Sequence, residues 1–433
     1  MWFFSGLRML MLIVVTVFLQ SVAHGSEPTP DIIDISTPPE LLQVLAKAKG
    51  GETLRLAPGQ YGELRLRENV GPFTSPVTIV SADANRRAVF NAVNLQGVSN
   101  LNFVDLTFDY VAKYAASLSG SPFKVMASAN ITFQNVVFDG DLAKGVNAVE
   151  DGYGTGRGLI LGNSNSITVQ NCLFRNWYRA AAFGTTRNLK LLGNEVVSSS
   201  SDGFNFTQVQ DVLIDGNHFH DFNRAPGSSA HPDMIQFWTT SSKPNPLPTK
   251  NVTIINNILD IGAGSSAQAI FMRNERVDKG LSGFELFYRN IVISNNVIAT
   301  RHQNGIIVGE ADGVVIDRNT MIQKAGAKSD KEIPVPTIGV SKNAVNVKVT
   351  NNISSGINIS FAVMSNPPKG WAVKNNKVVQ AKNKNLPGFV SSILVNPLVS
   401  TTASRADFMV IPGHSIEGQH IGATLDNAAL PAP

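Results

Sequence analysis

In Asp221–Trp238, DFNRAPGSSAHPDMIQFW, a Pro/Gly/Ser loop delivers His231 and Asp233, on either side of Pro232, into the strand-like run Met234–Trp238. An imidazole suits proton transfer near neutral pH, and an adjacent carboxylate can orient it or hold a cation. Asp202 lies upstream; Arg273 and Arg276 lie downstream. Abstracting a proton from a carbon beside a carboxylate needs a base and a cation that neutralises the developing enolate. The expected roles are His231 as base or acid, Arg273 as carboxylate clamp, and Asp233 as orienting group or cation ligand. Trp238 offers a flat apolar face. Each residue also has a plainer reading: an Asp opening a strand after a loop commonly bonds turn amides. The acidic loop Asp139, Asp141, Glu150 and Asp151 lacks regular Ca²⁺-ligand spacing.

The rest of the chain must position these residues. With 36 Lys+Arg against 32 Asp+Glu in 433 residues, the net charge is only +4, and no concentrated basic run argues for nucleic acid. Met1–Gly25 reads as a signal peptide: Arg8 in the n-region, Met9–Phe18 as the apolar core, Ala23-His24-Gly25 at the cleavage site. No later segment is apolar enough to span a bilayer, so a secreted or periplasmic monomer is expected. The lone Cys172 cannot form an internal disulfide.

A repeat supplies the positioning. VLIDGN (Val212–Asn217), VTIINN (Val252–Asn257), IVISNN (Ile291–Asn296), VVIDRN (Val314–Asn319), VKVTNN (Val347–Asn352) and WAVKNN (Trp371–Asn376) align, and LKLLGN (Leu189–Asn194) fits their frame. ITVQNC (Ile167–Cys172) and ITFQNV (Ile131–Val136) fit with Asn one place earlier. The aligned Asn are 23, 40, 39, 23, 33 and 24 residues apart, a base period near 23 with insertions. Such a period, made of short alternating strands and turns, is one coil of a parallel β-helix. A left-handed Asn at each turn, bonded to the Asn above and below, predicts an asparagine ladder. The expected organisation is a signal peptide at 1–25, an N-terminal cap with a helix opened by Thr37, Pro38 and Glu40 at 26–76, coils at 77–380, and a C-terminal cap and tail at 381–433. The fold class is all-β: a single-stranded right-handed parallel β-helix with an N-terminal capping helix.

Here the chain resembles the right-handed β-helix, pectate-lyase-like superfamily. GGETLRLAPGQYGEL (Gly50–Leu64) after the helix is similar to the entry of its chondroitinase B and alginate lyase branch. DFMVIPGHSIEGQHIG (Asp407–Gly422) resembles the closing segment of many bacterial β-helix proteins. The resemblance implies that the strand following each loop lines a substrate groove. The groove strands would be Asp202–Phe206, Asp233–Phe237, Gln268–Met272, Asn304–Val308 and Thr337–Val340. Phe204, Ile235, Ile270, Ile306 and Ile338 then stack inward. Asn205, Gln236 and Phe271 form one outward row, and Thr207, Trp238 and Arg273 the next.

The long loops Asp221–Pro232, Thr239–Asn251 and Asn274–Asn290 flank this groove. The expected catalytic set is His231, Asp233, Arg273 and Asp202, with Asn205, Gln236, Trp238 and Arg276 binding substrate and Arg301-His302 as a secondary candidate. The implied activity is a polysaccharide lyase cleaving an acidic, uronate-containing polymer by β-elimination, with Ca²⁺ the one cofactor considered. A glycoside hydrolase using Asp202 and Asp233, a uronan C5-epimerase and a non-catalytic glycan-binding β-helix are the alternatives.

Overall fold

The computed structural model describes residues 31–68, 70, 73–239, 246–324, 334–358, 368–399 and 403–425. The signal-peptide segment 1–25 and part of the loop Thr239–Asn251 lie outside the described residues. Coil after coil, three short strands stack in parallel on their successors. In one coil these are Arg179–Gly184, Arg187–Leu192 and Glu195–Val197. The middle strands build a 13-stranded parallel sheet. That sheet already includes Ile32–Ile35 and Thr53–Leu56, so the stacked-strand pattern starts before residue 77.

The alternation that predicts strands also fills the core. On the groove strands Phe204, Ile235, Ile270, Ile306 and Ile338 are in register and fully buried. Aromatics stack within the bore, as in Phe138–Phe174 and Phe206–Phe237, both with ring centroids 4.4 Å apart. Each fully buried Phe contributes on the order of 2–3 kcal/mol of transfer free energy. The helix Pro38–Leu45 is capped by Thr37, whose Oγ1 accepts from the Glu40 N–H at 3.4 Å. It buries Leu41 and Leu45 and leaves Leu42 46% exposed.

The asparagine ladder is present, with one correction to its geometry. Asn194, Asn217, Asn257, Asn296, Asn319 and Asn352 are buried and bonded in series; Asn257, for example, donates to Asn296 Oδ1 at 2.9 Å and Ile214 O at 3.0 Å. The left-handed residue is the one before each ladder Asn: Gly193, Gly216, Asn256, Asn295, Arg318, Asn351 and Asn375. Putting the αL conformation one place earlier turns the next side chain inward, where its amide meets backbone groups of the turn. The one-place offset at ITVQNC follows from this. Asn171 is left-handed, and Cys172 takes the ladder position, its N–H donating to Asn194 Oδ1 at 2.9 Å. Burial pushes the Cys172 thiol up to about 12, and its Sγ accepts the Val136 N–H at 3.4 Å, taking the place of the Asn amide towards the preceding coil.

The C-terminal segment folds back over the outer face of the third strands. Val390, Ile393, Leu394, Phe408 and Ile416 pack on Val297, Ala299, Ile322 and Ile353. Beneath them the Lys324–Asp260 ion pair is fully buried at 2.9 Å, and Asp260 also accepts the Ala403 N–H at 2.6 Å. His218 and His220 on this sheet are half-buried. His220 bridges Asp221 at 2.7 Å and Glu195 at 3.0 Å.

Candidate functional site

Two positions before each inward groove residue lies a polar row running along the helix axis: Arg157, Arg179, Asp202, Asp233, Gln268 and Asn304. Successive members stand one coil apart, roughly 4.8 Å. The row begins cationic. Arg179 grips Asp202 through Nε at 2.9 Å and Nη2 at 2.7 Å, both on Oδ2, which also accepts from Asn205 at 2.9 Å. Asn205 donates on to Gln236 Oε1 at 2.7 Å, and Gln236 donates to Asp233 Oδ2 at 2.8 Å. One amide relay thus joins the two carboxyl groups.

Their environments differ. Asp202 has a guanidinium; Asp233 has only an amide, and its Oδ1 is buried with no partner among the described residues. Burial, with the Asp202 carboxylate beside it, pushes Asp233 well above the usual carboxylate range despite the opposing pull of Arg179. Asp233 is 0% exposed and Asp202 3%, so both lie beneath the groove surface. Neither bonds His231.

The exposed His231, at the end of the Asp221–Pro232 loop, lies instead within electrostatic reach of His302, two coils on. Partial burial holds the His302 imidazole below its ordinary value, and the charges of His231 and Arg224 add to this. His302 Nδ1 accepts the Asn304 N–H at 3.0 Å, which puts the proton of the neutral ring on Nε2. Asn304 in turn donates to Gln268 Oε1. The loop carrying Arg224 and His231 is tied down by Arg224 to Ala230 O at 3.2 Å and by Ser228 to Glu150 at 2.6 Å. Glu150 thereby has a loop-anchoring contact. Asp141 and Asp151 in the same acidic loop accept backbone amides.

Arg273 sits elsewhere. It is in register with Trp238, at the far end of the six-residue strand Asp233–Trp238, roughly 17 Å along from Asp233. Trp238 is 37% exposed there. Arg273 pairs with Asp278 at 2.7 Å, and Arg276 folds onto its own loop, bonding Ser282 at 3.2 Å. Arg273 and Asp278 wall a cleft of about 340 Å³ floored by Phe271 and Ile307, which also holds Glu310 and Ser341. Burial raises the Glu310 carboxyl, opposed by the Ser341 hydroxyl at 2.7 Å and reinforced by Asp278. The structure therefore brings His231 together with His302 and Arg224, and Asp202 with Asp233, Asn205 and Gln236. It does not bring His231 to Arg273.

Arg157, Arg179, Arg224 and Glu310 were missed in the sequence. For Arg157 and Arg179 a signal exists: each stands two places before a core residue, Leu159 or Ala181, as Asp202 does before Phe204. Extending the repeat frame two coils towards the N-terminus would have found them.

Residues 233–389 match the family model of the right-handed β-helix region. Among solved structures, the Streptococcus pneumoniae surface protein and adhesin PfbA is similar over 81% of this chain and 86% of its own, at 15% identity and TM-score 0.48. An alginate lyase from Paenibacillus sp. str. FPU-7 is similar over 72% and 98%, at 12% identity and TM-score 0.41. The pectate lyase Pel9A is similar over 94% and 95%, at 13% identity and TM-score 0.43. No curated protein matches by sequence. Among the described residues no helix is long and apolar enough to cross a membrane. With its stacked parallel sheets and the match over residues 233–389 taken together, the chain folds as a right-handed parallel β-helix.

Proposed function

We propose that this protein is an exported polysaccharide lyase that cleaves an acidic, uronate-containing polymer by β-elimination in the groove beside the Asp221–Pro232 loop. The observation that carries the reading is a half-buried His302 whose Nδ1 is fixed by the Asn304 N–H at 3.0 Å, with His231 and Arg224 within electrostatic reach. β-Elimination needs a base for the proton beside the carboxylate, an acid for the departing oxygen and a cation for the developing enolate. In this assignment His231 takes the proton, the Nε2–H of His302 hydrogen-bonds the departing oxygen, which receives its proton from a water molecule, and Arg224 faces the uronate carboxylate. Asn304 holds the His302 tautomer through its backbone N–H. The sequence-based assignment of Arg273 as the clamp for His231 gives way to Arg224 because of the distance along the groove strand. Arg273, Arg276 and Trp238 are left as contacts for more distant sugars.

A second reading, glycoside hydrolysis, is favoured by one feature: Asp233 held protonated beside an Arg179-paired Asp202, the division of labour that acid–base hydrolysis uses. The burial of both carboxyls weighs against it. Incubating the mature protein with a panel of acidic polysaccharides separates the two. New unsaturated-uronate absorbance is the expected result. Reducing ends without that absorbance would replace the lyase reading with the hydrolase one, and neither signal would leave epimerisation or binding, to be resolved by NMR of the polymer.

A further inference from the structure

We propose that Arg157 and Arg179 form a carboxylate-binding subsite that holds an acidic polysaccharide three coils N-terminal of His231. The inference rests on the reading of the groove as a site for acidic glycan, and it assigns two residues that the cleavage chemistry does not use.

The two arginines are in register on adjacent groove strands, so their guanidinium groups start from backbones roughly 4.8 Å apart. Like charges so placed repel. Arg179 is compensated by Asp202 at 2.7 Å, but Arg157 has no such partner among the described residues. Its Nε is buried and finds no acceptor among the described residues. Partial burial and the charge of Arg179 both disfavour the charged form of Arg157, and the attraction of Asp202 is the smallest of the influences on it. A half-buried guanidinium with an orphaned N–H beside a second guanidinium is short of one anionic acceptor. A carboxylate presented from the groove supplies it, matching the planar fork of Arg with two oxygens.

The rest of the row keeps the approach open to a polyanion. Of its two carboxyl groups, Asp202 is neutralised by Arg179 and Asp233 is held towards its uncharged form by burial. The row from Arg157 to Asp233 therefore carries net positive charge, although its residue types, two Arg and two Asp, would balance. This gives the desolvated Asp233 a purpose: ionised, it would oppose a bound uronate. Three coil steps separate Arg157 from Asp233, roughly 14 Å. A pyranose chain lying along the axis advances by about one sugar per coil, so the Arg157 subsite meets a uronate a few residues from the sugar at His231. The subsite consequently reads chain length.

Calorimetric titration with oligogalacturonates, oligomannuronates and oligoguluronates of graded length tests this, alongside carboxyl-reduced counterparts. For at least one uronate series, affinity is expected to rise about tenfold at the length that first reaches Arg157, the worth of one charge-assisted contact. Arg157→Gln removes that step. Arg157→Lys, which keeps the charge but loses the fork, retains part of it and guards against a folding defect in the Gln variant. The proposal is overturned if Arg157→Gln keeps the step, if the carboxyl-reduced oligomers show it equally, or if the wild-type protein binds no oligouronate. A wild-type length step without any unsaturated product supports the subsite and removes the lyase reading alone.

Discussion

Two polar stacks run along this β-helix, and they are built on opposite principles. The turn stack from Asn194 to Asn376 repeats one residue; each amide accepts from the N–H of the preceding rung, and from Asn194 to Asn352 each also donates to the next rung and to a carbonyl. The groove stack from Arg157 to Asn304 uses four residue types in six coils, carries charge, and leaves Arg157 Nε and Asp233 Oδ1 unpartnered among the described residues. Uniform, fully satisfied polarity in a buried place holds backbone together. Mixed polarity with unmet bonding capacity is what a ligand can complete. Both stacks are dominated by polar side chains, so composition alone does not tell them apart; satisfaction does.

Breaking the ladder should have the largest effect on stability. Asn257→Ala removes the acceptor of the buried Asn217 N–H, at 2.9 Å, and the donor to Ile214 O. A loss of about 3–5 kcal/mol is expected from urea denaturation. The groove should behave in the reverse way, tolerating change in stability while losing function. His231→Ala and His302→Ala are each expected to lower turnover of an acidic polysaccharide by about 100-fold or more, read from unsaturated-uronate absorbance. Full activity in both variants would end the assignment of this site.

Asp233→Asn sharpens the contrast, because here a groove substitution should stabilise. The folded value of Asp233 lies above its ordinary 3.8, so its favourable contribution is complete below that pH and is lost as pH rises through the folded value. At neutral pH the Asn variant should be more stable by about 1 kcal/mol, with the difference fading under acid. The smallest effect is electrostatic. Burial lowers the His302 titration first, then His231 and Arg224, so Arg224→Ala should move its NMR titration midpoint partway back towards 6.5. Because the folded value is depressed, His302 also costs the wild-type protein stability as pH falls from 6.5 through that value, and Arg224→Ala should narrow the loss.

How much of this was readable from the chain follows from how each signal is encoded. The coil period, the inward column Phe204–Ile235–Ile270–Ile306–Ile338 and the asparagine series are local patterns repeated many times, and each is observed in the fold. Repetition averages out the ambiguity of any one strand. The same frame placed Asn205, Gln236 and Phe271 in one row and Thr207, Trp238 and Arg273 in another, as the strand register has them. It erred by one residue on the left-handed turn position, because Gly193, Gly216 and Arg318 hold that place as well as Asn does.

The site was less legible. His231 and Arg273 look like partners because they sit on consecutive coils, but a strand six residues long separates their ends of the groove. Arg224 is held by a folded loop, through Ala230 O and Ser265 Oγ, and His302 stands two coils on, and neither placement leaves a periodic trace. Sequence periodicity therefore determined the scaffold, since stacking identical coils needs only a repeated pattern of burial and turns. Tertiary structure alone decided which Asp is pushed towards its protonated form, which Arg lacks a partner among the described residues and which charges fall near His302. Those properties depend on desolvation and on distances between residues whose separation in the chain says nothing about their separation in space.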